Sequence, residues 1–416
     1  MFPFLQLIPI TLQAFLQTFI DPAYLFLYLV VCVIIAIQYN RMEKLRENFF
    51  GARAGRTRKD FLAAIGYGLL GGLLGSYLVI FVGLTISGEL YYLWPVAILL
   101  MMINIRFLCF AYAGGILALS NLIFGVPQIN PSQILALVAA LHMVESFLIF
   151  AGGHLGAVPA YIKGPEGKII GGFTLQRFWP IPIVVLAVIT GGMADGGIEM
   201  PGWWPLIMPG VEGNPQDLIF ALLPLVAGLG YGDIAIARTP AEKSRLSSLF
   251  LGLYSLVLLA LAVLAGHNRA VALLAALFSP LGHEAVIYIG KWFELKGEPI
   301  YVPAAEGMRL LDVLPDGPAW RAGLRPGDVI TAVNGVKFTD RTEFYNLLQS
   351  SFLPPGVDYI SRAAGAAKNT VIKPPEPGKA WGLAPVPESN EGRYVELLTV
   401  GPLGRWILKL WGKTSR

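Results

Sequence analysis

Charge is the first thing this sequence has little of. Only 14% of its 416 residues are Asp, Glu, Lys or Arg, against roughly 25% in an ordinary soluble domain. Hydrophobic residues make up 55%, and the mean hydropathy is +0.62. That deficit excludes a plain water-soluble globular protein, and a net charge of only +4 excludes a strongly basic nucleic-acid binder. Cysteine is scarcer still. Cys32 and Cys109, both inside apolar stretches, exclude a disulfide framework and require no oxidising compartment. No basic residue precedes Arg41, so the charged start of a cleavable signal is missing. There is no His-Glu-x-x-His pair and no Gly-x-Ser-x-Gly elbow, and the four histidines leave little for metal ligation. Gly228-Leu-Gly-Tyr-Gly232 sits in an apolar run with no strand before it, which argues against a phosphate loop. The expectation is therefore no catalytic residue, no cofactor and no metal.

What is present is a series of long apolar runs, with Lys, Arg, Asp, Glu and Pro thickening after about Lys291. A span needs about 20 predominantly apolar residues. The candidates are Ala23–Tyr39, Phe61–Ile86, Leu90–Phe107, Cys109–Val126, Pro131–Gly153, Trp179–Gly192, Asp217–Ile236, Ser247–Gly266 and Ala270–Ile289. Because the sixth is short and the turn at Arg106 tight, the count is eight or nine. Residues 1–22, broken by Pro3 and Pro9, suit an interfacial helix as well as a span. Gly66, Gly68, Gly71, Gly72 and Gly75, with Gly114–Gly115, give two small-residue faces for close helix packing.

Basic residues orient the bundle. Arg41, Lys44, Arg46, Arg53, Arg56, Arg58 and Lys59 mark one inner loop. Lys163, Lys168 and Arg177 mark a second, and Arg238, Lys243 and Arg245 a third. Residues 193–216 carry Asp195, Glu199 and Glu212 but no Lys or Arg. The alternation puts the N-terminus outside and everything after Lys291 in the cytoplasm of a bacterial plasma membrane.

The C-terminal third reads differently. Gly307-Met-Arg-Leu-Leu-Asp-Val-Leu-Pro is an extended apolar strand, and Gly317-Pro-Ala-Trp-Arg-Ala-Gly323 a short helix with a C-cap glycine. Arg325-Pro-Gly-Asp328 is a turn, Val329–Val333 a strand, and Asn334-Gly335 a tight hairpin turn. Phe344, Leu347 and Leu348 give Arg341–Ser350 an amphipathic helical spacing. Asp358–Arg362, Thr370–Lys373 and Arg393–Val400 supply further strands. This order resembles a bacterial PDZ domain, most closely over Gly307–Phe338. The whole chain then reads as a polytopic α-helical membrane bundle followed by a small α+β PDZ-like domain, a partly open antiparallel β-sandwich or barrel. Its parts are residues 1–22, a multi-span domain over 23–290, the PDZ domain over 297–402 and a basic amphipathic tail over 403–416. The tail carries Arg405, Lys409 and Lys413 along one face beside Trp406 and Trp411, which suits an anionic lipid leaflet.

PDZ domains add an extended peptide to an open sheet edge. The resemblance implies a groove with Gly307, Met308, Arg309 and Leu310 as binding loop and strand, opposite Phe344, Leu347 and Leu348. Several of these apolar side chains read equally as domain core. In the membrane part, His142 and Glu145 share a helical face, and His283 and Glu284 follow a Pro280–Gly282 break. Intramembrane ionisable groups face the bundle interior; these two pairs read as devices that orient helices.

Pro131-Ser-Gln-Ile-Leu-Ala-Leu-Val-Ala-Ala-Leu-His-Met-Val-Glu-Ser146, Gly171-Gly-Phe-Thr-Leu-Gln-Arg-Phe-Trp-Pro180 and Ser279-Pro-Leu-Gly-His-Glu284, together with the layout, resemble the MinJ family of cell-division topological determinants. That resemblance implies an adaptor rather than an enzyme, enriched at septa and poles. It would link a DivIVA-like scaffold to a MinD-like ATPase and so retain the MinC inhibitor. The competing readings are an intramembrane protease-like enzyme and a transporter, each with a regulatory PDZ domain.

Overall fold

The computed structural model describes residues 3–404 except 52–54, 87–89, 165–166, 190–196, 211–217, 351–352, 377–378, 389–390, 393 and 395–402. The tail residues Arg405, Lys409 and Lys413, the acidic Asp195 and Glu212, and nearly all of the strand expected at 393–400 lie outside the described residues.

Among the described residues, six helices are long and apolar enough to cross a membrane: α1 (Pro3–Ile20), α2 (Pro22–Phe50), α3 (Thr57–Val82), α6 (Pro131–Gly152), α7 (Pro240–Ala265) and α8 (Arg269–Lys296). Local chemistry sets their ends. Asp21 caps α2 by accepting from the Ala23 N–H at 2.8 Å, and Pro22 occupies the first helical position. Thr239 and Glu242 form a capping box on α7. Asn130 and Asn268 cap α6 and α8.

The expected count of eight or nine spans is corrected by two pairs of segments. Leu90–Phe107 and Cys109–Val126 form α4 (Leu90–Ile103), a 3₁₀ turn at Ile105–Leu108, and α5 (Phe110–Phe124). At 1.5 Å per residue these helices are about 21 and 22 Å long, short of a bilayer core of about 30 Å. Both outer ends lie at one end of the bundle: α4 follows the end of α3, and α5 leads into α6, where Gln133 bonds Thr85 and Ile207. The pair enters and leaves on the same side, with Cys109 at its deepest turn.

Trp179–Gly192 and Asp217–Ile236 are not helices. They are the arms of a long hairpin, β2 (Ile169–Ile189) and β3 (Ile219–Ala235), paired from Phe173↔Ala235 to Ile189↔Ile219. β1 (Val158–Lys163) pairs with the start of β2. Ile, Val, Phe and Trp favour strands, and Pro180 and Pro182, two residues apart, disfavour a helix. Both faces of β2 are buried, so the segment has the unbroken hydropathy of a span without its period.

Beyond Thr174 the outer edge of β2 runs along α3. Gly68, Gly72 and Ser76, each four residues apart, face Pro180, Pro182 and Val184, each two apart. A Cβ on Gly68 or Gly72 would collide with the carbonyl oxygen of Pro180 or Pro182. The spacing matches because four helical residues rise about 6.0 Å and two strand residues about 6.6 Å. Neither proline has an N–H to satisfy; Val184 does, and donates it to Ser76 Oγ at 2.8 Å. Further on, the Ile86 N–H donates to the Leu186 carbonyl at 2.8 Å. From Pro180 to Val184 this sheet edge in an apolar bundle thus carries one N–H, and Ser76 accepts it. The neighbouring stripe, Gly71 and Gly75, receives Leu148 and Val144 of α6. The glycine face expected to pack a helix therefore packs a strand on one side and a helix on the other.

The C-terminal domain holds β4 (Met308–Val313), α9 (Pro318–Arg321), β5 (Val329–Val333), α10 (Arg341–Gln349), β6 (Gly356–Ile360), β7 (Ala367–Val371) and β8 (Leu383–Pro385). Its sheet order is β7-β6-β5-β4-β8. Asn334 and Gly335, with φ of 51° and 78°, make the expected turn. The domain is seated on the end of the bundle that carries the C-terminus of α2 and β1. Tyr301, Leu311 and Val386 are buried in the bundle's own core, and Phe50 packs with Leu314 and Ala384. The Gly171 N–H donates to the Tyr301 carbonyl at 3.1 Å, joining β2 to the linker.

Candidate functional site

Two places gather chemistry. In the C-terminal domain, the groove expected at Gly307–Leu310 falls at the start of a strand that is paired on both sides. β4 is interior, paired to β5 on one side and to β8 on the other. Gly307 is left-handed and seated against the Ile330 carbonyl, so that a side chain there would collide with it. Leu310, Phe344 and Leu348 are fully buried in the domain core, Met308 nearly so, and Leu347 packs partly buried beside them. Arg309 donates to the Ile300 carbonyl at 3.4 Å, a linker contact.

The edge that α10 flanks is β8, a strand the sequence reading did not identify; Trp381-Gly382 before Leu383 was its available signal. Along that edge Tyr345 Oη donates to the Leu383 carbonyl at 3.4 Å, and Tyr161 Oη of β1 donates to the Pro385 carbonyl at 2.9 Å. Arg341 donates to the Val386 carbonyl at 3.1 Å and to Tyr161 Oη at 3.3 Å. Pro385 offers no N–H. The chain's own side chains therefore occupy the acceptors that an added peptide strand would use. Beneath β8, Asp312 faces Arg46 and Arg56 of the bundle. Burial pushes its carboxyl up to about 7, against the lowering pull of the Val313 N–H and of the two arginines.

The second place is midway through the bundle. The pairs His142/Glu145 and His283/Glu284 prove to belong to one cluster, built around Cys109. Cys109 Sγ lies 3.1 Å from His142 Nε2 and 3.6 Å from His283 Nε2. His142 Nδ1 bonds the Val138 carbonyl at 2.7 Å, one turn back on α6. His283 Nδ1 lies 3.3 Å from Tyr112 Oη, which donates to Glu284 at 2.7 Å; Glu284 pairs with Arg106 at 2.8 Å. Tyr254 packs edge-on against both imidazoles. Glu145, on the turn after His142, has no hydrogen-bond partner among the described residues. Cys109 escaped notice because a cysteine in an apolar run reads as core; its position between two half-length helices was the missed signal.

A charged node lies nearer the C-terminal domain. Arg46 pairs with Glu43 at 3.0 Å and Asp60 at 3.7 Å, and donates to the Gly156 carbonyl at 3.0 Å. Fully buried Arg177 of β2 stacks its guanidinium on Tyr39 at 5.3 Å. Arg177, expected in an inner loop, is instead a strand residue.

The PDZ domain family matches residues 310–352. Over 358 residues the chain is 24% identical to the cell division topological determinant MinJ of Bacillus subtilis, which covers 80% of this chain and 83% of MinJ. A stretch of 55 residues is 38% identical to HhoA of Synechocystis sp., a protein named for serine protease activity, covering 13% of this chain and 14% of HhoA.

Proposed function

The chain is MinJ-like and ends in a PDZ domain, and from that premise we propose that it is a membrane-anchored adaptor that helps place the division site. The observation that carries this reading is the likeness to MinJ across most of both chains, bundle and PDZ domain together. The likeness to HhoA covers too little of that protein to bring its catalysis with it.

In this reading the PDZ domain lies in the cytoplasm, since its seat is the end of the bundle holding Arg46 and Arg56. Its partners are a DivIVA-like scaffold and a MinD-like ATPase, and the protein gathers at septa and poles. The capturing surface is the β8 edge beside α10, reached when a partner strand displaces the hydroxyls of Tyr161 and Tyr345. The test is cellular: a fluorescent fusion of the full chain and a deletion strain. The expected outcome is septal and polar enrichment with displaced septa on deletion. An even membrane distribution with normally placed septa overturns the role.

A further inference from the structure

The hydrogen-bond inventory around Cys109 does not close with protein atoms alone. Tyr112 Oη donates to Glu284 at 2.7 Å, and Glu284 in turn pairs with Arg106 at 2.8 Å. That oxygen then accepts from His283 Nδ1. The Val138 carbonyl is an acceptor only, so His142 Nδ1 carries a proton as well. Both Nε2 atoms are therefore bare lone pairs, assigned by the network, and both face one sulfur. A single thiol proton satisfies one of them and leaves the other lone pair against lone pair. A cation among the three atoms satisfies all of them.

We propose that Cys109, His142 and His283 bind one zinc(II) ion, a site separate from the adaptor surface. The three ligand atoms lie within 4.8 Å of one another. Zn–S of about 2.3 Å and Zn–N of about 2.0 Å in a tetrahedron put sulfur and nitrogen about 3.5 Å apart, a value between the 3.1 and 3.6 Å found. A thiolate with two imidazoles selects a late transition ion over magnesium or calcium. Each histidine is aimed through its Nδ1, by a carbonyl on α6 and by the Tyr112–Glu284–Arg106 chain, as metal-bound histidines are. The Ala111 N–H donates to the sulfur at 3.4 Å, a donor suited to a metal-bound thiolate. Glu145 lies within electrostatic range of the sulfur and adds a second anionic group for the ion's charge. Bound there, the ion ties the re-entrant pair α4–α5 to α6 and α8, and three protein ligands leave a fourth position open.

The test is a cobalt(II) titration of the full-length chain, purified in detergent and stripped of metal. The expected result is one equivalent bound with a thiolate-to-cobalt charge-transfer band, displaced by one equivalent of zinc(II). Cys109→Ser should lose the band, and Cys32→Ser, which alters the other cysteine, should keep it. Tyr112→Phe removes the hydroxyl that joins His283 Nδ1 to Glu284 while leaving all three ligands, and should weaken zinc affinity about 10- to 100-fold. Absence of the band in the unmodified chain overturns the proposal, and no variant's folding bears on that result. A band that survives in Cys109→Ser, or vanishes in Cys32→Ser, overturns it too.

Discussion

At Gly72 the backbone of β2 comes as close to α3 as a hydrogen atom allows, whereas Gly66, on the same helix, has open space beside its Cα. Gly72→Ala must therefore push a carbonyl away and should cost about 1–3 kcal/mol. Gly66→Ala should be neutral or slightly stabilising, since alanine is the better helix former. Thermal unfolding of the two variants in detergent separates them; equal loss in both would refute the close contact. Asp312 makes a prediction in pH. Its carboxyl keeps its proton up to about pH 7 in the folded chain, against 3.8 for the free group. Between those values the folded chain binds more protons than the unfolded one, so stability falls as pH rises from about 4 to 7 and levels off above. Asp312→Asn should flatten that dependence. A variant as pH-sensitive as the parent would show that Asp312 is not the titrating group.

Among the elements, those of the C-terminal domain were legible because each carries its own punctuation. Asn334-Gly335 demands a tight turn, and Phe344 and Leu348 mark the buried face of α10 as the spacing implied. β8 was hidden because three residues between proline-rich flanks carry no period to read. In the bundle, hydropathy identified what is buried but not its geometry. β2 is apolar on both faces for the same reason a span is, and only Pro180 and Pro182 spoke against a helix. The re-entrant reading of α4–α5 is open to direct measurement. In a Cys32→Ser background, Ile105→Cys sits at the deep turn and should resist a membrane-impermeant maleimide added on the side of the α2 C-terminus. Labelling from that side would restore two full crossings.

Across the whole molecule, the errors of span counting cancelled. α4–α5 and the hairpin each leave the bundle where they entered, so replacing two presumed crossings by a return excursion preserves which end receives the C-terminal domain. The side assigned to the C-terminal domain from Arg41 to Lys59 therefore does not depend on whether those two pairs are counted as spans. The seat of that domain is polar as well as apolar, and Tyr161 is its most exposed dependency. Tyr161→Phe removes the donor to Pro385 and the acceptor of Arg341. At about 0.5–1.5 kcal/mol per hydrogen bond, amide exchange over residues 381–388 of the full chain should quicken by roughly two- to tenfold. Unchanged exchange would mean that the phenol does not hold the edge.

β2 has a mechanical consequence. Its 21 residues extend about 60–70 Å if fully drawn out, from the linker carbonyl at Tyr301 to the rim where Trp204 bonds Ile80. It is a strut without a joint. A load applied at the Trp204 rim would be carried along one unbroken strand to the platform under the PDZ domain, and a tilt of that domain would be felt at the rim.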